Sequence, residues 1–178
     1  MISLSVAPGL RLAQLHPDDT EELFVLTDAN RAHLRTWLPW LDQTRVPAAT
    51  AKFIEFTQRE ATAGTGLHFA IYEQNVIVGA CAFNRIDPAN RSANIGYWLA
   101  ADAQGRGIMA RSVAALYTYG FTKLDLHRQV IGCAEGNAAS AAVATRCGFR
   151  FEGVARDCEW LYDHFISLRL HSRLRTDA

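Results

Sequence analysis

The stretch Leu99–Ser112, LAADAQGRGIMARS, places Gly105-Arg106-Gly107 between an apolar, strand-like run and a helix-like run. No other part of the chain restricts its fold so much. A strand that turns through two glycines into a helix presents backbone N–H groups that have no partner inside the helix. Together with the helix dipole those groups make a seat for phosphate or pyrophosphate, and glycine lets the backbone approach the ligand closely. Arg106 and Arg111 add positive charge nearby. The spacing is not that of a Walker loop, G-x-x-x-x-G-K-[ST]. A dinucleotide fingerprint is excluded too, because its third glycine is missing and several strands precede the corner. A tight strand-to-helix turn without a ligand is the alternative reading of these residues alone.

The chain around the corner reads as α+β. GLRLAQL alternates as a first strand, and HPDDTEELFVLTDAN opens with proline and acids, as helix starts do. An aromatic segment broken by Pro39 follows, then a second amphipathic helix with Pro47 in its first turn. GLHFAIYE and VIVGACAFNRI are alternating runs separated by Gln74-Asn75, which predicts a hairpin. RSANIGYWLA is a further strand before the corner. After it come a helix, the strand HRQVIGCAE, a short alanine-rich helix stopped by Gly148, and the closing strands RFEGVARDCEW and DHFISLRLHSRL. This order predicts a mixed, mostly antiparallel sheet of about seven strands flanked by helices, not a doubly wound one.

With 178 residues and no linker or repeat, one domain spanning 1–178 is expected. Eighteen basic residues balance eighteen acidic ones, so nothing points to nucleic acid or an anionic membrane. The N-terminus lacks the pattern of a signal peptide and no run is long enough to cross a membrane, so a cytoplasmic location is expected. Cys81, Cys133, Cys147 and Cys158 show no C-x-x-C pair, which favours buried or half-buried thiols over a metal site or a disulfide framework. No histidines pair at metal spacing, and no metal is expected.

NIGYWLA, DAQGRGIMARS and NAASAAVATRCGFRFEG together resemble the GCN5-related N-acetyltransferase (GNAT) family, in particular its RimJ/RimL branch of ribosomal-protein N-terminal acetyltransferases. The likeness covers nearly the whole chain, including HLRTWLPWLDQ. Gln104 and Gly107 match the family's pyrophosphate motif, Q/R-x-x-G-x-G/A, whereas Met109 replaces its usual glycine or alanine. The resemblance implies the GNAT fold and acetyl-CoA as cofactor, with the pyrophosphate on Gly105, Arg106, Gly107, Ile108, Met109 and Ala110. The pantetheine would run beside NIGYWLA, where a backbone amide of Trp98 or Leu99 would face the thioester carbonyl.

The resemblance also supplies the chemical roles. Asn137 matches the asparagine that contacts pantetheine. Ala144 stands where many relatives carry a tyrosine acid, so Ser140, matching the RimL-type serine, is the expected proton source for the departing thiolate. Capping of its own helix is the other reading of Ser140. Glu159 matches a RimL-type glutamate and is the expected base, direct or through water, with Asp157 and Asp163 as second choices. Trp37, Trp40 and Trp160 are candidates to line the acceptor cleft, against the plainer reading of core packing. A homodimer rests on the resemblance alone. The expected reaction is direct transfer of acetyl to a primary amine, foremost a protein N-terminal α-amine. A small amine or peptide antibiotic, a non-catalytic CoA-binding module and a nucleotide-binding regulator are the alternatives.

Overall fold

The computed structural model describes residues 1–177. Two hairpins start the sheet. β1 (Ser3–Ala7) and β2 (Leu10–Gln14) turn at Gly9, whose φ of +73° few other residues tolerate. β3 (Leu67–Glu73) and β4 (Val76–Asp87) turn through Gln74 and Asn75, with φ of +49° and +66°. Two positive φ values in succession give the twist a two-residue hairpin needs. Between the hairpins lie α1 (Thr20–Ala29), α2 (Arg31–Arg35) and α3 (Pro47–Ala63). β5 (Ser92–Leu99) leads through the glycine corner into α4 (Ile108–Thr122). β6 (Arg128–Ala134), α5 (Ala138–Arg146), β7 (Arg150–Leu161) and β8 (His164–Leu174) complete the chain.

The eight strands form one sheet in the order β1-β2-β3-β4-β5-β6-β8-β7. All neighbours are antiparallel except β5 and β6, which are parallel because α4 carries the chain across between them. This is the α+β sheet expected, with one strand more than the seven anticipated. The addition is β1, a short edge strand that packs Leu4, Val6 and Ala7 on the core and exposes its two serines. Its serines and alanine carry little β preference.

The sheet separates two layers. On one face Phe69, Ile71, Phe83, Ile95 and Leu99 pack with Val113 and Leu116 of α4. On the other, Ala70 and Ile77 pack with Leu23 of α1 and Ile54 of α3. Phe83 is fully buried and reaches Gly120 of α4, where an added Cβ would stand 2.8 Å from its Cζ. Phe83→Ala removes that contact from a site that cannot collapse. A loss of about 3–5 kcal/mol is expected, read as a lower urea midpoint at unchanged slope.

Candidate functional site

β5 and β6 pair only from Ser92–Ile95 against Arg128–Ile131. Beyond Ile95 they diverge, β5 staying on β4 as far as Leu99 and β6 staying on β8. The result is a fork whose facing backbone edges, residues 96–99 and 132–134, are not bonded to each other. A cleft of about 730 Å³ occupies it and runs from Asn84 and Glu159 to Gly105, Gly107 and Met109 at the start of α4.

Backbone polarity within the fork follows from the β4–β5 register. Ala100 N–H donates to Val78 O at 2.9 Å, so Ala100 faces β4. N–H directions alternate along a strand, so Trp98 also faces β4 while Tyr97 and Leu99 face the fork. The Trp98 carbonyl lies 2.4 Å from the position a Cβ on Gly79 would take, in agreement. Of the two amides expected at a thioester carbonyl, Leu99 therefore points into the cleft and Trp98 does not. Tyr97 supplies the second inward amide.

The corner has the form of an anion seat. Gly105 and Gly107 have φ of +75° and +70°, and nothing lies within 4 Å of a Cβ built on either. Gly107 is the N-cap of α4 and no side chain caps it. Arg111 N–H bonds back to Gly107 O, so the preceding amides of Ile108, Met109 and Ala110 have no helical acceptor. Met109 packs its side chain into the core, which leaves its amide at the seat. Gln104 turns its side chain to His33 of α2, with Nε2 atoms 2.9 Å apart. Arg106 departs from expectation: its guanidinium pairs with Glu73 at 2.9 Å and does not line the cleft. Arg146, at the end of α5, is a cleft-lining cation that the sequence reading did not single out.

Register also distributes the reactive side chains between the two faces of the sheet. Gln129 bonds to Tyr117 O of α4, so Gln129, Ile131 and Cys133 share the α4–α5 face. Ser140 lies there as well: its Oγ donates to Cys133 Sγ at 3.2 Å and sits 3.1 Å from the Tyr97 hydroxyl. Asn137, not Ser140, caps α5, accepting from Ser140 N at 3.0 Å. Burial pushes the Tyr97 hydroxyl and the Cys133 and Cys147 thiols up, so none is readily ionised. Ala144 is fully buried.

Glu159 lies on the opposite face. It pairs with Ile166 across β7–β8, and directly paired residues share a face. Ile166, Leu168 and Leu170 follow at alternate positions, and Leu170 pairs with Gly132 of the fork. Burial alone raises the Glu159 carboxyl above the ordinary range. Asp157 sits in a bulge with φ of +45° and Asp163 pairs with the exposed His164; neither lines the cleft. The same bulge exposes Cys158, the one cysteine that is neither buried nor half-buried.

The tryptophans divide. Trp37 lines the cleft. Trp40 meets Trp98 at a tilt of 55°, ring centroids 6.5 Å apart, and does not line the cleft. Trp160 follows Glu159 and so faces the other way, half exposed against Phe165. The wall beside Trp37 is closed by a tie absent from the sequence reading. The Tyr162 hydroxyl donates to Leu38 O at 2.5 Å, and the Arg35 guanidinium lies 3.9 Å from the Tyr162 ring centre. A second concavity, about 1060 Å³, opens near Met1 and the end of α3. Its Arg91 and Asp125 pair at 2.8 Å.

Comparison with known proteins agrees with this geometry. The family model for the acetyltransferase (GNAT) domain matches residues 9–150. A ribosomal-protein-serine acetyltransferase of Escherichia coli (strain K12) is 30% identical over 172 residues, 97% of this chain and 96% of that protein. The structure of RimL, a ribosomal L7/L12 alpha-N-protein acetyltransferase in complex with coenzyme A, superposes with a TM-score of 0.94 at 32% identity, covering 97% of this chain and 98% of that one. The microcin C7 self-immunity acetyltransferase MccE, in complex with acetyl-CoA and AMP, gives 0.91 at 31% identity, with 95% and 94% covered.

Proposed function

The chain belongs to the GNAT acetyltransferase family, and from that premise we propose that its acceptor is a protein N-terminal α-amine of the ribosomal-protein class. It is an acetyl-CoA-dependent N-acetyltransferase. The observation that carries the reading is the β5–β6 fork, which joins an uncapped glycine corner to Glu159 on one face and Ser140 on the other. The acceptor class is supported by relatives that span almost the whole chain and bear ribosomal-protein names. We read residues 1–178 as one domain of this family, since β7 and β8, beyond the matched segment, continue the same sheet. Among the described residues no helix is long and apolar enough to cross a membrane. A cytoplasmic setting fits an acceptor made there.

The site fits the cofactor. The open cradles at Gly105 and Gly107 and the free amides of Ile108, Met109 and Ala110 would hold the pyrophosphate. The outward edge of Tyr97 and Leu99 would take the amides of the pantetheine arm as a neighbouring strand would. Acetyl-CoA supplies an activated acetyl group as a thioester.

The chain's residues then have distinct tasks. Glu159, with its carboxyl pKa raised by burial, accepts the proton of the incoming amine, directly or through water. The Tyr97 and Leu99 amides are aimed into the fork two residues apart, so one would face the carbonyl oxygen, where negative charge develops, while the other bonds the pantetheine arm. Ser140 Oγ, held between Tyr97 and Cys133, would turn its hydroxyl hydrogen to the leaving sulfur and stabilise the thiolate by a hydrogen bond, while the Tyr97 hydroxyl donates to Ser140 Oγ. No covalent intermediate on the enzyme is needed, and the raised thiols of Cys133 and Cys147 argue against one.

Ser140→Ala is expected to lower kcat by about tenfold to a hundredfold, with acetyl-CoA affinity nearly unchanged. Calorimetry alongside steady-state rates separates the two quantities. The acceptor class is tested by thiol release from acetyl-CoA with N-terminal peptides of ribosomal proteins beside small amines. Preferential turnover of the peptides supports the reading. Turnover of small amines alone transfers the assignment to them.

A further inference from the structure

β4 and β5 hold register until Phe83 pairs with Ile95, and the next pair is Arg85 with Asn94. Asn84 is the extra residue, a β-bulge, and bulges re-aim side chains at the margins of sites. Here the bulge lays the Asn84 amide over Gly96. A Cβ on Gly96 would stand 2.1 Å from Asn84 Nδ2, so the glycine is what lets the amide lie there. Gly96 is the first residue past Ile95, the last to pair with β6, and therefore marks the vertex of the fork. Its absent side chain would point to the Glu159 face, because Ile95 and Tyr97 on either side of it point to the α4–α5 face.

The Asn84 side chain thus lines the cleft on the face that carries the base. It makes no side-chain hydrogen bond among the described residues, so a donor and an acceptor are both free at the vertex. An amide with both groups free is suited to peptide backbone. A simple alkylamine offers it nothing to bind beyond the amine itself.

We propose that Asn84 is an acceptor-binding residue that hydrogen-bonds the first peptide unit of the acceptor beside Glu159 and so favours protein N-termini over plain amines. The inference rests on the acceptor reading above. It places the selection at one bulged residue, held by one glycine.

The test compares a short N-terminal peptide with an alkylamine of similar length that lacks a carbonyl. Asn84→Ala is expected to raise the peptide KM by about tenfold while the alkylamine KM changes by less than about twofold. The Kd of acetyl-CoA should not move. Gly96→Ala, whose methyl must displace the Asn84 amide, is expected to give the same split with Asn84 still present, and it serves as the second variant if Asn84→Ala folds poorly. An equal rise for both acceptors, or a parallel loss of acetyl-CoA affinity, would overturn the proposal and make Asn84 structural. A wild-type enzyme that turns over the alkylamine but not the peptide would instead overturn the acceptor reading, before any variant is compared.

Discussion

Glu159→Gln is expected to lower kcat by about two to four orders of magnitude and to leave acetyl-CoA affinity nearly intact. The substitution keeps the shape of the side chain and removes its ability to take a proton. Glu159 lies on the face of the sheet opposite Ser140 and outside the glycine corner. In the wild type, kcat/KM should fall as pH drops through the Glu159 pKa. Burial raises that pKa, so the acid limb lies above the ordinary carboxylate range. In the variant that limb should vanish along with the rate.

Stability does not confuse this measurement. A carboxyl whose folded pKa is raised favours the fold when protonated, and that contribution is lost as pH rises through the raised value. The ionised form of Glu159 therefore opposes folding. Glutamine removes that cost, and a thermal melt should show a variant at least as stable as the wild type. A variant that loses activity and stability together would mark Glu159 as a structural residue.

The second large effect is expected at Gly107. Its φ of +70° is closed to proline, whose ring holds φ near −65°. Gly107→Pro should reshape the corner, misdirect the free amides of α4 and remove the Gly107 amide itself. Losing two hydrogen bonds to a charged group corresponds to about a hundredfold weaker acetyl-CoA binding. Gly107→Ala is the graded control. Nothing lies within 4 Å of its new methyl, so strain in the left-handed conformation is the only penalty, and affinity should fall by about tenfold. Calorimetry with acetyl-CoA reads both. If Gly107→Pro binds as the wild type does, the corner does not seat the pyrophosphate.

The parts of this fold legible in the sequence are those fixed by local periodicity and by turn residues. Gln74-Asn75, Pro47, Gly148 and the corner each do what their backbone preferences require. What escaped depends on partners distant in sequence. Arg106 reads as a phosphate ligand until β3 brings Glu73 to it. Trp98 and Leu99 are equivalent in sequence; only the β4 register decides which amide faces the fork. Trp160 reads as cleft-lining beside Glu159, yet strand alternation turns adjacent residues to opposite faces. Asn84 gave no signal because a bulge is an event between two strands, and an alternating run such as VIVGACAFNRI does not show it. The tie from Tyr162 to Leu38 joins residues 124 positions apart.

The fork has a kinetic consequence. Its two arms are held apart by different neighbours, β4 on one side and β8 on the other, and the cleft between them has two ends, one lined by the glycine corner and the other by Asn84 and Glu159. A donor entering by the first does not block an acceptor entering by the second, and the two products can depart in either order. Spent coenzyme A should then compete with fresh acetyl-CoA without competing with the acceptor. The acetylated chain end should compete with the acceptor alone. A cell rich in free coenzyme A would slow such an enzyme at the donor door, and more acceptor would not relieve it.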